Sequence, residues 1–153
     1  KLEVCKHGSF GAAFNRADSS GGENIIFFCQ GTNVGNISVN SSSTSYNTSS
    51  DYRLKENVVA LTGAKERLNQ LNVKRFNFYS RPGVTVDGFL AHEAQTVVPE
   101  AVTGTHDEMN DDGTPKYQGI DQSKLVPLLT AALQEAFAEI GALQTRIEAL
   151  EAG

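Results

Sequence analysis

From Val126 onward the apolar residues Val126, Leu129, Leu133, Ala136, Ile140, Leu143, Ile147 and Leu150 follow one another at gaps of 3,4,3,4,3,4,3. This is a heptad seam, with a positions at Val126, Leu133, Ile140 and Ile147 and d positions at the residues between. The helix is predicted to start near Asp121 and to occupy residues 121–153. Its lower part, Val126–Leu133, carries extra apolar residues at Leu125, Leu128 and Phe137, the broader stripe of a helix packed on its own domain. Its upper part, Glu139–Glu151, narrows to a and d alone, which predicts self-association. Arg146 and Glu151 fall at g and the following e, where opposite charges pair between helices. Ile at a with Leu at d leans toward two strands, in a pattern too short to set the number.

The 153 residues suffice for one domain, or for a small domain with an appended segment. About two-fifths of them are apolar, enough for a modest core. A formal net charge of −5 argues against a nucleic-acid partner, which usually meets a basic face. No uninterrupted apolar run approaches the roughly 18 residues of a bilayer span, so no membrane partner is expected. The start, Lys1-Leu2-Glu3-Val4, lacks the apolar stretch of a signal peptide and reads as the continuation of a longer chain. Cys5 and Cys29 are the only cysteines and are expected as free, partly buried thiols in a reducing cytoplasm. His7, His92 and His106 show no metal-ligand spacing. The acidic run Asp107–Gly113 resembles a calcium loop, but its twelfth position would be Gly119, which has no carboxylate. No metal and no cofactor are expected.

Residues 1–50 are rich in Gly, Ser, Asn and Thr. Short β-prone pieces at Gly11–Phe14, Ile25–Cys29 and Val34–Val39 are separated by turn signals at Ser20-Gly21-Gly22 and Gln30-Gly31. Ser41–Ser50 carries almost no apolar side chain besides Tyr46. Such strands are too few and too polar to bury a core alone and need partner strands, most simply from identical chains. Asn36, Asn40 and Asn47 each open a glycosylation sequon, which an Asn/Ser-rich stretch produces by chance.

Residues 51–118 read as a compact α+β unit. Val58, Leu61, Leu68 and Leu71 predict a helix over Val58–Leu71, weakened by Gly63. Val73–Tyr79 alternates like a strand and ends at the turn Arg81-Pro82-Gly83. Val86–Ala91 is expected as a second strand, His92–Val98 as a short helix stopped by Pro99, and Thr103–Lys116 as a projecting loop or hairpin.

At the junction of the polar and helical parts stands Ser50-Asp51-Tyr52-Arg53-Leu54-Lys55. A serine hydroxyl and a lysine amine suffice for a nucleophile and its base. A lysine works as a base only when it is desolvated or set beside another cation. Arg53 is one source of that cation; alternatively it binds a carboxylate such as Asp51 or Glu56. Five extended residues span about 16 Å, and an odd offset puts side chains on opposite faces of a strand. Ser50 and Lys55 therefore meet only if the chain turns at Asp51–Arg53, or if Lys55 comes from another subunit.

Four blocks together resemble the C-terminal intramolecular chaperone domain of endosialidase tailspikes and related phage tail fibres and neck appendages. Ser50-Asp51-Tyr52-Arg53-Leu54-Lys55-Glu56-Asn57 is similar to the family's cleavage motif S-D-x-R-x-K-E-N. Gly88-Phe89-Leu90-Ala91-His92-Glu93-Ala94 is similar to its G-F-I-A-Q-E-V segment, with His92 in place of Gln. Tyr117-Gln118-Gly119-Ile120-Asp121 resembles its Y-x-x-I-D/N step, and Leu125-Val126-Pro127-Leu128-Leu129 the start of its terminal helix.

The resemblance implies a homotrimer of an α+β domain, residues 50–153. Residues 1–49 are then the end of a β-rich, triple-β-helix-like fibre that the domain helps to fold. It implies autoproteolysis between Ser49 and Ser50, with Ser50 as nucleophile, Lys55 as base, and Asp51, Arg53, Glu56 and Asn57 in support. The partners are the chain's own copies and its own upstream fibre. The place is the cytoplasm of a bacterial host, the fibre going to the virion and the chaperone being released. A related self-cleaving domain occurs in a membrane-tethered eukaryotic transcription factor. Without a basic DNA-binding region or a membrane span, the resemblance points to phage or prophage. Two other functions compete: a non-catalytic trimerisation cap, and a receptor-binding fibre tip. The tip would want an aromatic cluster, whereas Tyr46, Tyr52 and Tyr79 are dispersed.

Overall fold

The structure, a computed structural model, describes residue 14 and residues 20–153. Cys5 and its pairing, His7, and the expected strand at Gly11–Phe14, apart from Phe14 itself, lie outside the described residues. The chain divides into two compact units, one ending at Val58 and one running Val59–Gly153.

The first unit is a three-stranded antiparallel sheet of β1 (Gly22–Cys29), β2 (Thr32–Val39) and β3 (Thr44–Thr48), in that order. Gln30 and Gly31 both take positive φ, 49° and 80°, between the paired residues Cys29 and Thr32. Two such residues give the turn whose twist matches antiparallel strands. The strand β3 forms in the polar stretch where no strand was expected. Its entry is set by Asn40, whose Oδ1 accepts the backbone N–H groups of Ser42 and Ser43, each at 2.8 Å. This side-chain turn returns the chain along β2 without any apolar signal. Ile25, Ile37 and Tyr46 align on one face, and Ile26, Asn36 and Asn47 on the other. There Asn36 donates to Glu23 and Asn47 to Asn36, at 2.6 and 2.7 Å. Gly35 is buried, and a Cβ on it would stand 2.5 Å from the Asn47 carbonyl oxygen, so only glycine lets β3 approach. Ile26, Phe27, Phe28 and Tyr46 are exposed. Cys29, the last residue of β1, is exposed as well, not partly buried as expected.

The second unit has mixed helix and strand, consistent with an α+β fold. Its elements are α1 (Ala64–Leu68), the hairpin β4 (Lys74–Asn77) and β5 (Thr85–Gly88), α2 (Ala91–Val97), the paired β6 (Val102–Thr103) and β7 (Gly119–Ile120), and α3 (Val126–Glu151). The helix expected over Val58–Leu71 shrinks to α1. Gly63 sits at its N-cap with φ +68°, a left-handed conformation that stops the helix from extending backward. The capping that Gly63 lacks comes from α3: Glu135 accepts the backbone N–H groups of Ala64 and Lys65 at 3.0 and 2.8 Å. Pro99 ends α2, as expected, and begins a short 3-10 turn. The segment between β6 and β7 is a hairpin, with a bridge between Met109 and Pro115.

The core of this unit is small: Ala64, Ala94, Val97, Val98, Ala101, Val102, Leu125, Leu128 and Ala132, with Leu68, Leu71, Phe89 and Ile120 against it. Asp121 starts the last helix, its Oδ1 accepting the Ser123 N–H at 3.0 Å. Gln122–Glu151 is long and apolar enough to cross a bilayer by length and composition. It contains no uninterrupted apolar run of that length, because charged residues punctuate the helix. Its apolar side chains divide between two faces. Leu125, Leu128 and Ala132 are buried against the unit, while Val126, Leu129, Leu133, Ile140, Leu143, Ile147 and Leu150 are exposed. Phe137, expected to broaden the packed stripe, is 63% exposed, because the packing face passes through Ala132 and Glu135 instead.

Candidate active site

The site is assembled from a sheet end and a turn. Ser49 follows β3 and is tied to β2 twice: its N–H donates to the Val34 carbonyl and its Oγ to the Asn33 carbonyl, both at 3.1 Å. The acyl side of the Ser49–Ser50 bond is thus fixed to the sheet. Beyond Ser50 the chain turns through a 3-10 segment at Tyr52–Leu54, with Asp51 as its N-cap. Asp51 Oδ1 accepts the Arg53 N–H at 2.8 Å, and the Leu54 and Lys55 N–H groups donate to the Asp51 and Tyr52 carbonyls, each at 3.1 Å.

The Arg53 guanidinium closes the turn. Its Nε donates to Asp51 Oδ1 at 2.9 Å and its Nη2 to Oδ2 at 2.8 Å, the planar fork that matches a carboxylate. That fork holds the Asp51 carboxyl below the usual carboxylate range, aided by the Arg53 N–H and by nearby Lys55. The same bond raises the Arg53 pKa. Of the two roles open to Arg53 in the sequence, the carboxylate partner is the one found, and the carboxylate is Asp51.

The turn shortens the path between Ser50 and Lys55, and Lys55 Nζ donates to Ser50 Oγ at 2.8 Å within one chain. An odd offset that separates side chains on a strand brings them together here because three residues of the path are wound up. Both residues are exposed. The distance required of a nucleophile and base is present. The desolvation that a lysine base requires is not supplied by the single chain. Glu56 and Asn57 are exposed and make no hydrogen bond to this pair among the described residues. Asn57 takes a left-handed backbone, φ 51°, which redirects the chain after the turn.

Residues 50–103 match the family model Peptidase_S74, chaperone of endosialidase. The match covers about a third of the chain and opens on Ser50 itself. The family that the sequence resembles and the family whose model matches are the same, and the match supports an intramolecular chaperone role with serine-peptidase-like processing. The blocks at Tyr117–Asp121 and Leu125–Leu129 lie beyond the matched residues. No curated protein matches the chain.

Within the matched segment, the block Gly88–Ala94 is explained by packing. A Cβ on Gly88 would meet the Phe76 ring at 3.4 Å, Phe89 packs on the core, and Ala94 is buried. His92, where the resembled motif has Gln, stacks on His106 with ring centroids 4.3 Å apart. The two rings line a cavity of about 480 Å³ with Thr105, Met109 and Tyr117. Sequence spacing gave no sign of this pair, since 13 residues, among them most of α2 and all of β6, separate its members.

Proposed function

We propose that this chain is an intramolecular chaperone that trimerises, assists the folding of an upstream phage fibre, and then releases itself by one self-cleavage between Ser49 and Ser50. The observation that carries the reading is the 2.8 Å contact of Lys55 Nζ with Ser50 Oγ, in a turn directly after an anchored Ser49. Ser50 Oγ attacks the Ser49 carbonyl carbon while Lys55 accepts the hydroxyl proton. The C–N bond breaks as the C–O bond forms, and the proton passes to the nitrogen of Ser50, which becomes a free amine. Water then hydrolyses the ester, leaving a carboxylate on Ser49 and restoring the hydroxyl. Attack by Ser50 on a carbonyl of a neighbouring chain is the other route.

Lys55 must shed its proton before it can act, and in the single chain it is solvated. Assembly of the copies along the α3 seam is the step that desolvates it, which times cleavage to follow folding. Asp51 and Arg53 hold the turn. Residues 1–49 are the client and residues 50–153 the chaperone, made in the cytoplasm of the bacterial host and left behind when the fibre joins the virion.

The test is Ser50→Ala in the full chain, followed on a denaturing gel with N-terminal sequencing of the C-terminal product. The wild type gives two fragments, the second beginning at Ser50, and the variant one intact species. Cutting at the same bond in the variant overturns the mechanism. A wild type that assembles but stays intact indicates a trimerisation cap without chemistry.

A further inference from the structure

We infer that Phe137 is a cross-subunit anchor that docks on α1 of a neighbouring copy, an inference that rests on the self-associating reading of α3. In a parallel helical assembly each e position faces the g position of the neighbouring helix. Here the successive g–e pairs across the seam are Ala132 with Phe137, Glu139 with Gln144, and Arg146 with Glu151. Each pair is complementary: small with large, acceptor with amide donor, and cation with anion.

The g face is already occupied within each chain. Ala132 is 3% exposed beneath α1, and Glu139 pairs with Lys65 of α1. The e side chain of a neighbour therefore meets α1 rather than a bare helix. Lys65, Arg67 and Leu68 of α1 are half-buried, leaving part of each side chain accessible. Phe137 is exposed and bulky, next to the small d residue Ala136. A Phe on that edge, exposed for most of its surface in the single chain, fits a partner's surface of aliphatic stems and Leu68. Aromatic residues are the side chains most enriched at such anchors.

The arrangement ties the coil to the globular unit. The seam alone would close whether or not α1 were folded. With Phe137 on a neighbouring α1, full association requires α1 to be in place on every copy.

The experiment places the photoreactive analogue p-benzoylphenylalanine at position 137 of the full chain. Isotopically light and heavy chains are mixed before irradiation. The expected result is a light–heavy cross-link from position 137 to the peptide 64–71. Phe137→Ala should weaken association about tenfold or more by analytical ultracentrifugation, while circular dichroism of the dissociated chain is unchanged. Cross-links confined to α3 peptides, or an unchanged association constant in Phe137→Ala, overturn the inference and leave the self-associating reading intact. A wild type that stays monomeric at all concentrations overturns that reading and this inference with it.

Discussion

Lys55 Nζ donates to Ser50 Oγ at 2.8 Å, and both side chains lie in solvent. The contact by itself does not separate a base from a charged donor, because an ammonium makes the same bond. Lys55→Arg makes the distinction. The guanidinium keeps the charge and the donors but does not accept a proton in proteins. If Lys55 is the base, this variant should assemble normally and cut slower by about a hundredfold or more. Cutting within a few-fold of wild type, timed by gel after expression, would show that only the positive charge matters.

Asp51 holds the turn through its bonds to Arg53, and in the proposed mechanism it works through that turn alone. Asp51→Ala removes the cap on the Arg53 N–H and the fork to its guanidinium. The turn should open, and cutting should slow by about tenfold or more while trimer formation persists. Asp51→Asn retains a good N-cap acceptor and should recover part of the rate. The folded-state pKa of Asp51 lies below its ordinary value, so the turn's extra stability is present above the ordinary carboxylate range. It is lost as pH falls through the lowered value. A rate that is insensitive to both substitutions would remove Asp51 from the mechanism.

Much of this arrangement was readable in the residues, and what was not has definite causes. The junction at Ser50, the turn at Gln30-Gly31, α2 with its Pro99 stop and the helix start near Asp121 each rest on local chemistry, which sequence records directly. The strand β3 escaped because it is specified by Asn40 and by pairing with β2, not by alternation of its own. The helix expected over Val58–Leu71 is cut short because its apolar spacing runs through Gly63, where a positive φ breaks the ladder. Its cap, Glu135, stands 71 residues away from Ala64, beyond any local rule. The Ser50–Lys55 contact occupied a middle ground: the spacing called for either a turn or a second subunit, and the Asp51–Arg53 fork that makes the turn appeared only in three dimensions.

Glu135 should show itself in acid. The N–H groups of Ala64 and Lys65 hold its carboxyl below the usual range, with Lys65 adding a favourable charge. The sign follows from linkage: a depressed folded pKa stabilises the unit above the ordinary glutamate range, and that stability disappears as pH falls through the depressed value. Glu135→Gln keeps a neutral acceptor but loses the charge. Its melting temperature at neutral pH should drop by a few degrees, and the gap from wild type should close on acidification. Melting curves at several pH values check this, and a gap that is constant with pH would mean that Glu135 contributes by packing alone.

The two faces of α3 make a paired prediction. Leu128 is 2% exposed in the core of the unit, while Ile140 is 50% exposed on the seam. Leu128→Ala leaves a cavity and should cost about 2–5 kcal/mol of unit stability, at any protein concentration. Ile140→Asp touches nothing that the single chain buries, so the melting of a dissociated chain should be nearly unchanged. In an assembled seam the same substitution buries an unpaired charge, which should weaken association by about two orders of magnitude or more. Because desolvation of Lys55 is assigned to assembly, Ile140→Asp should also slow cutting at Ser49–Ser50, although its α3 site is 85 residues beyond Lys55 in the sequence. Dilution series by ultracentrifugation, run beside the cleavage gel, measure both effects on one sample. Normal cleavage in an Ile140→Asp chain that remains monomeric would show that the dyad needs no partner.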